Sequence, residues 1–308
     1  MHVMLLGTAA GGGVPQWNCR CHNCRAARNG SGVVRPRSQS SVAISADRKR
    51  WFLLNASPDL ARQFESFAPL HPTGRHPRHT PLQAVLLTNA DLDHTLGLLS
   101  LRESSDLLIY ASQETRFALT HGLALLPALN KFCQTKILPA PFTPQRLRHL
   151  DGSSCSLSVQ AFRVPGKRPR FAAGRKTQQA NVSSAIGYKI VDKKTGAALV
   201  YLPEILALTP DVVSLAGDCD LLLFDGSFWS ENELAENGIK GRSASQMGHI
   251  PIGGENGSLR GLARVAVPQK VFVHINNTNP VLRENSPERR QALAAGWKIG
   301  EDGMAFKL

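Results

Sequence analysis

Two short segments of this 308-residue chain carry residue types suited to metal chemistry. Cys19-Arg20-Cys21-His22-Asn23-Cys24 sets three sulfur donors within six residues, close enough to hold one tetrahedral Zn2+ of the structural type. Free surface thiols are the competing reading, and the spacing leaves the fourth ligand open, with His22 as a local candidate. Asp91-Leu92-Asp93-His94 places two carboxylates and an imidazole at the end of an apolar strand, a donor set for a hard metal ion. Acidic residues in that position also cap a following helix, so the four residues alone leave both roles open. Two further histidines stand where a strand or turn ends. His274 follows the apolar run 271–273 and precedes Ile275-Asn276-Asn277-Thr278-Asn279-Pro280, and His249 follows Met247-Gly248. Cys133, Cys155 and Cys219 are isolated, as buried small apolar side chains usually are, and are assigned no chemistry.

The elements that must position these residues are legible as apolar runs between turn signals. A first strand at 2–6 runs into Gly7-Thr8-Ala9-Ala10-Gly11-Gly12-Gly13, where glycines permit positive φ and close backbone approach. The G-x-G-x-x-G spacing of a dinucleotide fingerprint fits this loop poorly, and a cysteine cluster rather than a helix follows it. Runs at 41–45 and 51–54 flank a polar turn as in a hairpin, and a helical stretch covers 60–67. A basic loop, His71-Pro72-Thr73-Gly74-Arg75-His76-Pro77-Arg78-His79, contains prolines that forbid a regular helix and is read as a solvated insertion. Strands at 84–87, 107–111, 156–164, 185–191, 198–202, 221–224 and 270–273 alternate with helical patterns such as 113–125. Strands in two groups, each followed by helices and with no linker or repeat between them, predict sheets covered by helices in a single domain over residues 1–308.

Composition narrows the class. With 42% hydrophobic residues and a formal net charge of +13, the chain is basic and able to bury a large core, which excludes a disordered tail protein. Its apolar runs are far short of the roughly 20 residues that span a bilayer. The apolar N-terminus has no basic residues before it and leads at once into a glycine turn, which predicts a first strand rather than a signal peptide and a cytoplasmic location. Part of the cationic excess lies in Arg163, Lys167, Arg168, Arg170, Arg175 and Lys176. No aromatic-interleaved basic motif accompanies them, so nucleic acid is not the expected partner.

With Thr88 before it and Gly97 after it, the Asp91–His94 segment resembles the T-H-x-H-x-D-H-x-x-G signature of the metallo-β-lactamase superfamily. Asn89 and Asp91 stand where the signature has its first two histidines, while its aspartate and last histidine are kept as Asp93 and His94. Longer motifs narrow the resemblance to the coenzyme PQQ synthesis protein B family. They are 6–19 (Leu-Gly-Thr-Ala-Ala-Gly-Gly-Gly-Val-Pro-Gln-Trp-Asn-Cys), Asn55-Ala56-Ser57-Pro58-Asp59, Thr88-Asn89-Ala90-Asp91, Val164-Pro165-Gly166-Lys167, Asp225-Gly226-Ser227-Phe228-Trp229, Met247-Gly248-His249 and the 274–280 stretch. The sequence is similar to that family nearly end to end.

The resemblance implies an α+β fold, a four-layered αββα sandwich of the metallo-β-lactamase type. It also implies a role in making pyrroloquinoline quinone (PQQ) from a Glu–Tyr-derived peptide precursor. A strand-end histidine completes the superfamily's metal site, a role carried over to His274 beside His94 and Asp93. Asp91 is a further ligand or proton-transfer group, with His249, and Asp225 orients a ligand or meets the substrate. A C-x-C-x-x-C zinc knot occurs in related proteins, and Asn277 stands where a phosphodiesterase branch has its zinc-binding histidine, which makes it the second candidate for the fourth ligand. Replacing two signature histidines by Asn89 and Asp91 hardens the site toward oxygen donors. That favours Fe2+ over a zinc pair and predicts an O2-using hydroxylase. Lys167, Arg170, Trp229 and Asn276 are expected to bind the carboxylate-rich precursor. A homodimer is compatible with this reading. The competing functions are a carrier that delivers PQQ or its precursor toward the periplasm and a conventional metallo-hydrolase.

Overall fold

Alternation along the strands sorts their side chains into three apolar layers. In the computed structural model, which describes residues 1–74, 76–104, 106–172 and 185–308, the strands form two sheets. The first contains β1 (His2–Gly7), β2 (Ser41–Ser45), β3 (Trp51–Leu54), β4 (Leu82–Leu86), β5 (Asp106–Ala111) and β6 (Gln134–Pro139). The second contains β7 (Gln145–Arg148), β8 (Ser154–Arg163), β9 (Ile186–Asp192), β10 (Ala198–Leu202), β11 (Leu221–Asp225), β12 (Gln269–Val273) and β13 (Trp297–Ile299). A last strand, β14 (Ala305–Lys307), returns to pair with β1, giving the orders β14-β1-β2-β3-β4-β5-β6 and β13-β12-β11-β10-β9-β8-β7. In each sheet the pairing changes from antiparallel to parallel part-way across, at β3–β4 and at β10–β11.

One set of alternate residues, including Val42, Ile44, Phe52, Leu54, Tyr188, Ile190, Leu221 and Leu223, is buried between the sheets. The opposite faces, with Leu53, Val85 and Ile109 on one sheet and Val200, Leu222 and Phe272 on the other, pack against helices. Leu60, Leu98 and Leu119 cover the first sheet, and Val212, Leu215 and Ala292 cover the second. A period of two in the strands and amphipathic helices outside them leave helix-sheet-sheet-helix as the arrangement that buries every apolar face.

The parallel strands bring the C-terminal ends of β4, β10, β11 and β12 to one end of the sandwich. The two sheets are joined there, since the Ile186 amide donates to the Thr88 carbonyl and Asn55 Nδ2 donates to the Tyr201 hydroxyl. The residues that follow those strands face one another across this end.

The structure departs from the sequence expectations at several elements. The helix expected over 113–125 is three pieces, Gln113–Phe117, a π-helical turn Ala118–Gly122 and Leu125–Leu129. Ala124 adopts φ +56° between the last two, and the Phe171 ring occupies the space beside Gly122. The helix expected over 60–67 ends at Glu65. β6, β7, β13 and β14 were not anticipated. β6 and β7 are largely exposed edge strands rich in polar residues, and β13 and β14 are three residues each, too short for a period to register. Of the basic run, Arg175 and Lys176 lie outside the described residues.

Candidate metal centre

β4 is buried along its whole length, and the chain turns at its end so that Asp91 becomes the extended residue before a single helical turn, Leu92–Thr95. That turn sits hard against the Asn55–Ser57 turn, with the Ala56 amide donating to the His94 carbonyl at 2.7 Å. A Cβ on Gly97 would lie 2.1 Å from the Ser57 carbonyl oxygen, so only glycine lets the two turns meet. This contact fixes Asp93 and His94 in the cleft.

Asn89 holds His94 in one tautomer. Its Oδ1 is 2.7 Å from His94 Nδ1, with Thr88 Oγ1 at 3.4 Å, so Nδ1 carries the proton and the Nε2 lone pair points the other way. His94 Nε2 is buried and has no hydrogen-bond partner. A buried imidazole nitrogen left unpaired costs free energy, which an ion at that point would recover. Burial lowers the His94 pKa to about 4, so the ring is neutral, as a ligand must be.

His274, at the end of β12, has φ +58° and reaches Asp93 Oδ2 through Nε2 at 3.0 Å. Asp93 Oδ2 lies 4.0 Å from His94 Nε2. The other nitrogen of His274 is 2.8 Å from Ser227 Oγ, which is also 2.7 Å from Asp225 Oδ1. Ser227 was not singled out from the sequence, although it lies within a quoted motif, because its role depends on β11 and β12 being neighbours. Burial opposes ionisation of Asp93, but His94 and the hydrogen bond with His274 outweigh it and hold the carboxyl well below the usual range. Burial likewise opposes charging of His274, and Asp93 overrides it to raise the imidazole's pKa.

Asp93, His94 and His274 present one donor atom each within 4.8 Å of one another. Asp225, His249 and His274 do the same. His249 Nδ1 is 2.8 Å from Asp225 Oδ2, which leaves its Nε2 toward the cleft, and the His249 and His274 rings stack with centroids 5.3 Å apart. Burial would raise Asp225, yet His249 keeps it below its ordinary value.

Glu204, two residues beyond β10, stands in a stretch where the superfamily normally has a bridging aspartate, and the sequence reading gave it no role in the site. Its carboxyl accepts a hydrogen bond from Asn89 Nδ2, whose other acceptor is Asp91 Oδ2 at 3.0 Å. Burial and then the neighbouring Asp91 push Glu204 well above the ordinary carboxyl range, and burial and Asp93 raise Asp91. Two carboxyls so placed retain a proton between them.

These groups open onto a cavity of about 280 Å3 whose walls include Asp91, Glu204, His249 and Asn276, with Lys167 and Arg170 on its rim. Arg168 and Arg242 add to the positive wall. Trp229, expected to bind substrate, does not line this cavity. Its ring lies over Gly253, where a Cβ would come within 2.7 Å of the indole, and it packs with the apolar layer outside the second sheet while Phe228 faces the cleft. Asn276 Nδ2 donates to Thr278 Oγ1 at 2.6 Å.

The three knot cysteines also converge, with Cys24 fully buried and the sulfurs within 4.8 Å of one another. Cys21 precedes the helix His22–Arg28. The side-chain amide nitrogen of Asn277 lies 3.1, 3.5 and 3.3 Å from the sulfurs of Cys19, Cys21 and Cys24. His22 is exposed and stands outside the cluster, so of the two candidates for the fourth position it is Asn277 that reaches it. Hydrogen bonding from the Cys24 thiol lowers the Cys21 pKa to about 5, which makes a thiolate available.

Comparison with known proteins bears on this pair of clusters. Residues 50–275 match the model of the β-lactamase superfamily domain. The coenzyme PQQ synthesis protein B of Methylobacterium nodulans is 41% identical, with all of both chains covered. The chain belongs to the coenzyme PQQ synthesis protein B family. The crystal structure of Zn2+-bound PqqB from Methylobacterium extorquens superposes over the whole of both chains with a TM-score of 0.89 at 38% identity. A diphosphatase of the PhnP family, 18% identical with a TM-score of 0.70, shares the metallo-β-lactamase fold. Family membership places the chain in PQQ biosynthesis on a metal-binding fold. No helix among the described residues is long and apolar enough to cross a membrane.

Proposed function

We propose that the chain is an iron(II)-dependent oxygenase that hydroxylates the tyrosine ring of a Glu–Tyr-derived PQQ precursor with O2, one oxygen atom entering the ring and the other leaving as water with two electrons and two protons from an external two-electron reductant. The observation that carries this reading is the two-histidine, one-carboxylate set of His94, His274 and Asp93, in which His94 Nε2 is buried and unpartnered beside an open cavity. Such a set with free positions suits non-haem iron(II). Bound there, iron(II) would supply the activation of O2 that ring hydroxylation needs.

The residues around the set have separable tasks. Asn89 and Ser227 fix the orientation of His94 and His274 through their far nitrogens. Lys167 and Arg170 meet the carboxylates of the precursor and turn its ring inward. Asp91 and Glu204 hold a proton next to the cavity, in reach of a group that must gain or lose one. The cysteines with Asn277 hold a structural Zn2+, the amide turned to present its oxygen.

The test is metal analysis and single-turnover chemistry on anaerobically purified, iron-supplied protein with a two-electron reductant such as ascorbate added before O2. Wild type is expected to hold one tight zinc and one exchangeable iron, and to add about 16 mass units per oxygen inserted into a tyrosine-type precursor. His274→Ala is expected to lose the iron and at least about 1,000-fold of the hydroxylation rate while keeping the zinc. Full activity in that variant overturns the assignment. Tight PQQ binding without oxygen uptake in iron-loaded wild type replaces it with the carrier function.

A further inference from the structure

The end of the sandwich away from the metal centre carries its own built cavity. β9 runs from Ile186, bonded to Thr88 at the metal end, to Asp192 at the other, about 20 Å at the rise of a strand. There the β2–β3 turn, the end of β7, the start of β8 and the β9–β10 turn surround a half-open cavity of about 280 Å3. Arg50, Arg146, Lys193 and Lys194 come to this cavity from three separate segments of chain.

Its carboxylates are committed elsewhere. Asp47, the one acidic residue in the wall, accepts from the amides of Lys49 and Arg50 at 2.9 Å each and pairs with the Arg50 guanidinium. Asp192 nearby pairs with the N-terminal ammonium at 3.3 Å. Among the described residues no ion pair includes Arg146, Lys193 or Lys194. A second observation lies deeper. His149 is only 3% exposed, lines the same cavity, and its Nδ1 has no hydrogen-bond partner. Exposed cations gathered round one small cavity raise the positive potential there, and the unpaired His149 nitrogen beneath them is a cost that an oxyanion reaching the ring would offset.

We propose that this distal cavity is a second binding site, for a compact polyanion bearing phosphate or carboxylate groups. Its small volume favours such a ligand over a polymer, which would need an extended cationic track. The site stands independently of the reaction at the metal centre.

Calorimetric titration of the metal-loaded protein tests it, with inorganic phosphate and tricarballylate as probes at an ionic strength of about 0.05 M. Binding of either is expected, and phosphate alone or tricarballylate alone identifies which class of ligand the site takes. The double variant Arg146→Gln, Lys194→Gln is expected to weaken that binding at least about 10-fold with metal content and melting temperature unchanged. Lys167→Gln, Arg170→Gln at the other end should leave it in place. Binding of neither probe, equal affinity in wild type and the Arg146/Lys194 variant, or loss only in the Lys167/Arg170 variant overturns the proposal. Capture of double-stranded RNA or anionic vesicles in place of both probes overturns it as well.

Discussion

The cysteine knot and the histidine centre are built from opposite materials although one stretch of chain serves both. The knot is soft and shielded: three sulfurs and an amide, with Cys24 fully buried. The histidine centre is harder and open, with imidazoles and carboxylates facing a cavity that a substrate can enter. A closed sulfur site suits an ion that only holds structure, and an open nitrogen and oxygen site suits one that must exchange a ligand during each turnover. The contrast teaches that donor type and access divide the labour, since burial alone does not separate His94 from Cys24.

The contrast breaks most visibly at the knot. Cys24→Ser is expected to lose the tight zinc and several kcal/mol of stability, seen as a large drop in melting temperature, with the metal content of the surviving folded protein lowered by about one zinc. If that variant melts like wild type, the knot is not structural. Ser227→Ala sharpens the other side. It leaves His94, His274 and Asp93 in place but removes the hydroxyl that orients His274, and is expected to weaken metal affinity at the open centre by about 10- to 100-fold without changing zinc in the knot. Equilibrium competition with a metal indicator reads this directly.

A pH effect concerns Glu233, which accepts from the Thr278 hydroxyl and, at 2.6 Å, from the Trp229 amide. Burial raises its pKa to about 7. The folded state therefore holds a proton that the unfolded chain releases near pH 4.5, so this group's contribution is present at low pH and is lost as pH rises toward 7. Its loss amounts to about 3 kcal/mol. Glu233→Gln is expected to flatten that decline in denaturant titrations between pH 5 and 7.5. A wild-type stability that does not fall across this range would show that Glu233 is ionised when folded.

Legibility in the sequence followed how local each feature is. Asp93 and His94 share one turn and the cysteines share six residues, so spacing alone brought their donors together. His274 was readable because an apolar strand ends on it. The partners that orient these ligands were not readable. Asn89 looked like a lost ligand and proved to be the acceptor for His94 Nδ1. Ser227 acts on His274 because β11 and β12 are parallel neighbours, and Glu204 meets Asn89 from across the two sheets. Trp229 was misplaced because nothing in its own segment reveals that Gly253 leaves room for the indole on the far side. The sheets' central strands stood out through buried alternation, whereas the polar edges β6 and β7 had no apolar pattern to give them away.

One feature of the backbone has a practical edge. Asn277 lies three residues beyond His274, and Asn23 donates to the carbonyls of Asn277 and Asn279 at 3.0 and 2.8 Å. Whatever strips the knot therefore releases the segment that aims His274. Under the proposed function, reconstitution from chelated protein is expected to have an order: zinc restored first gives iron(II) a finished pocket, while iron offered first meets a loop still searching for its place.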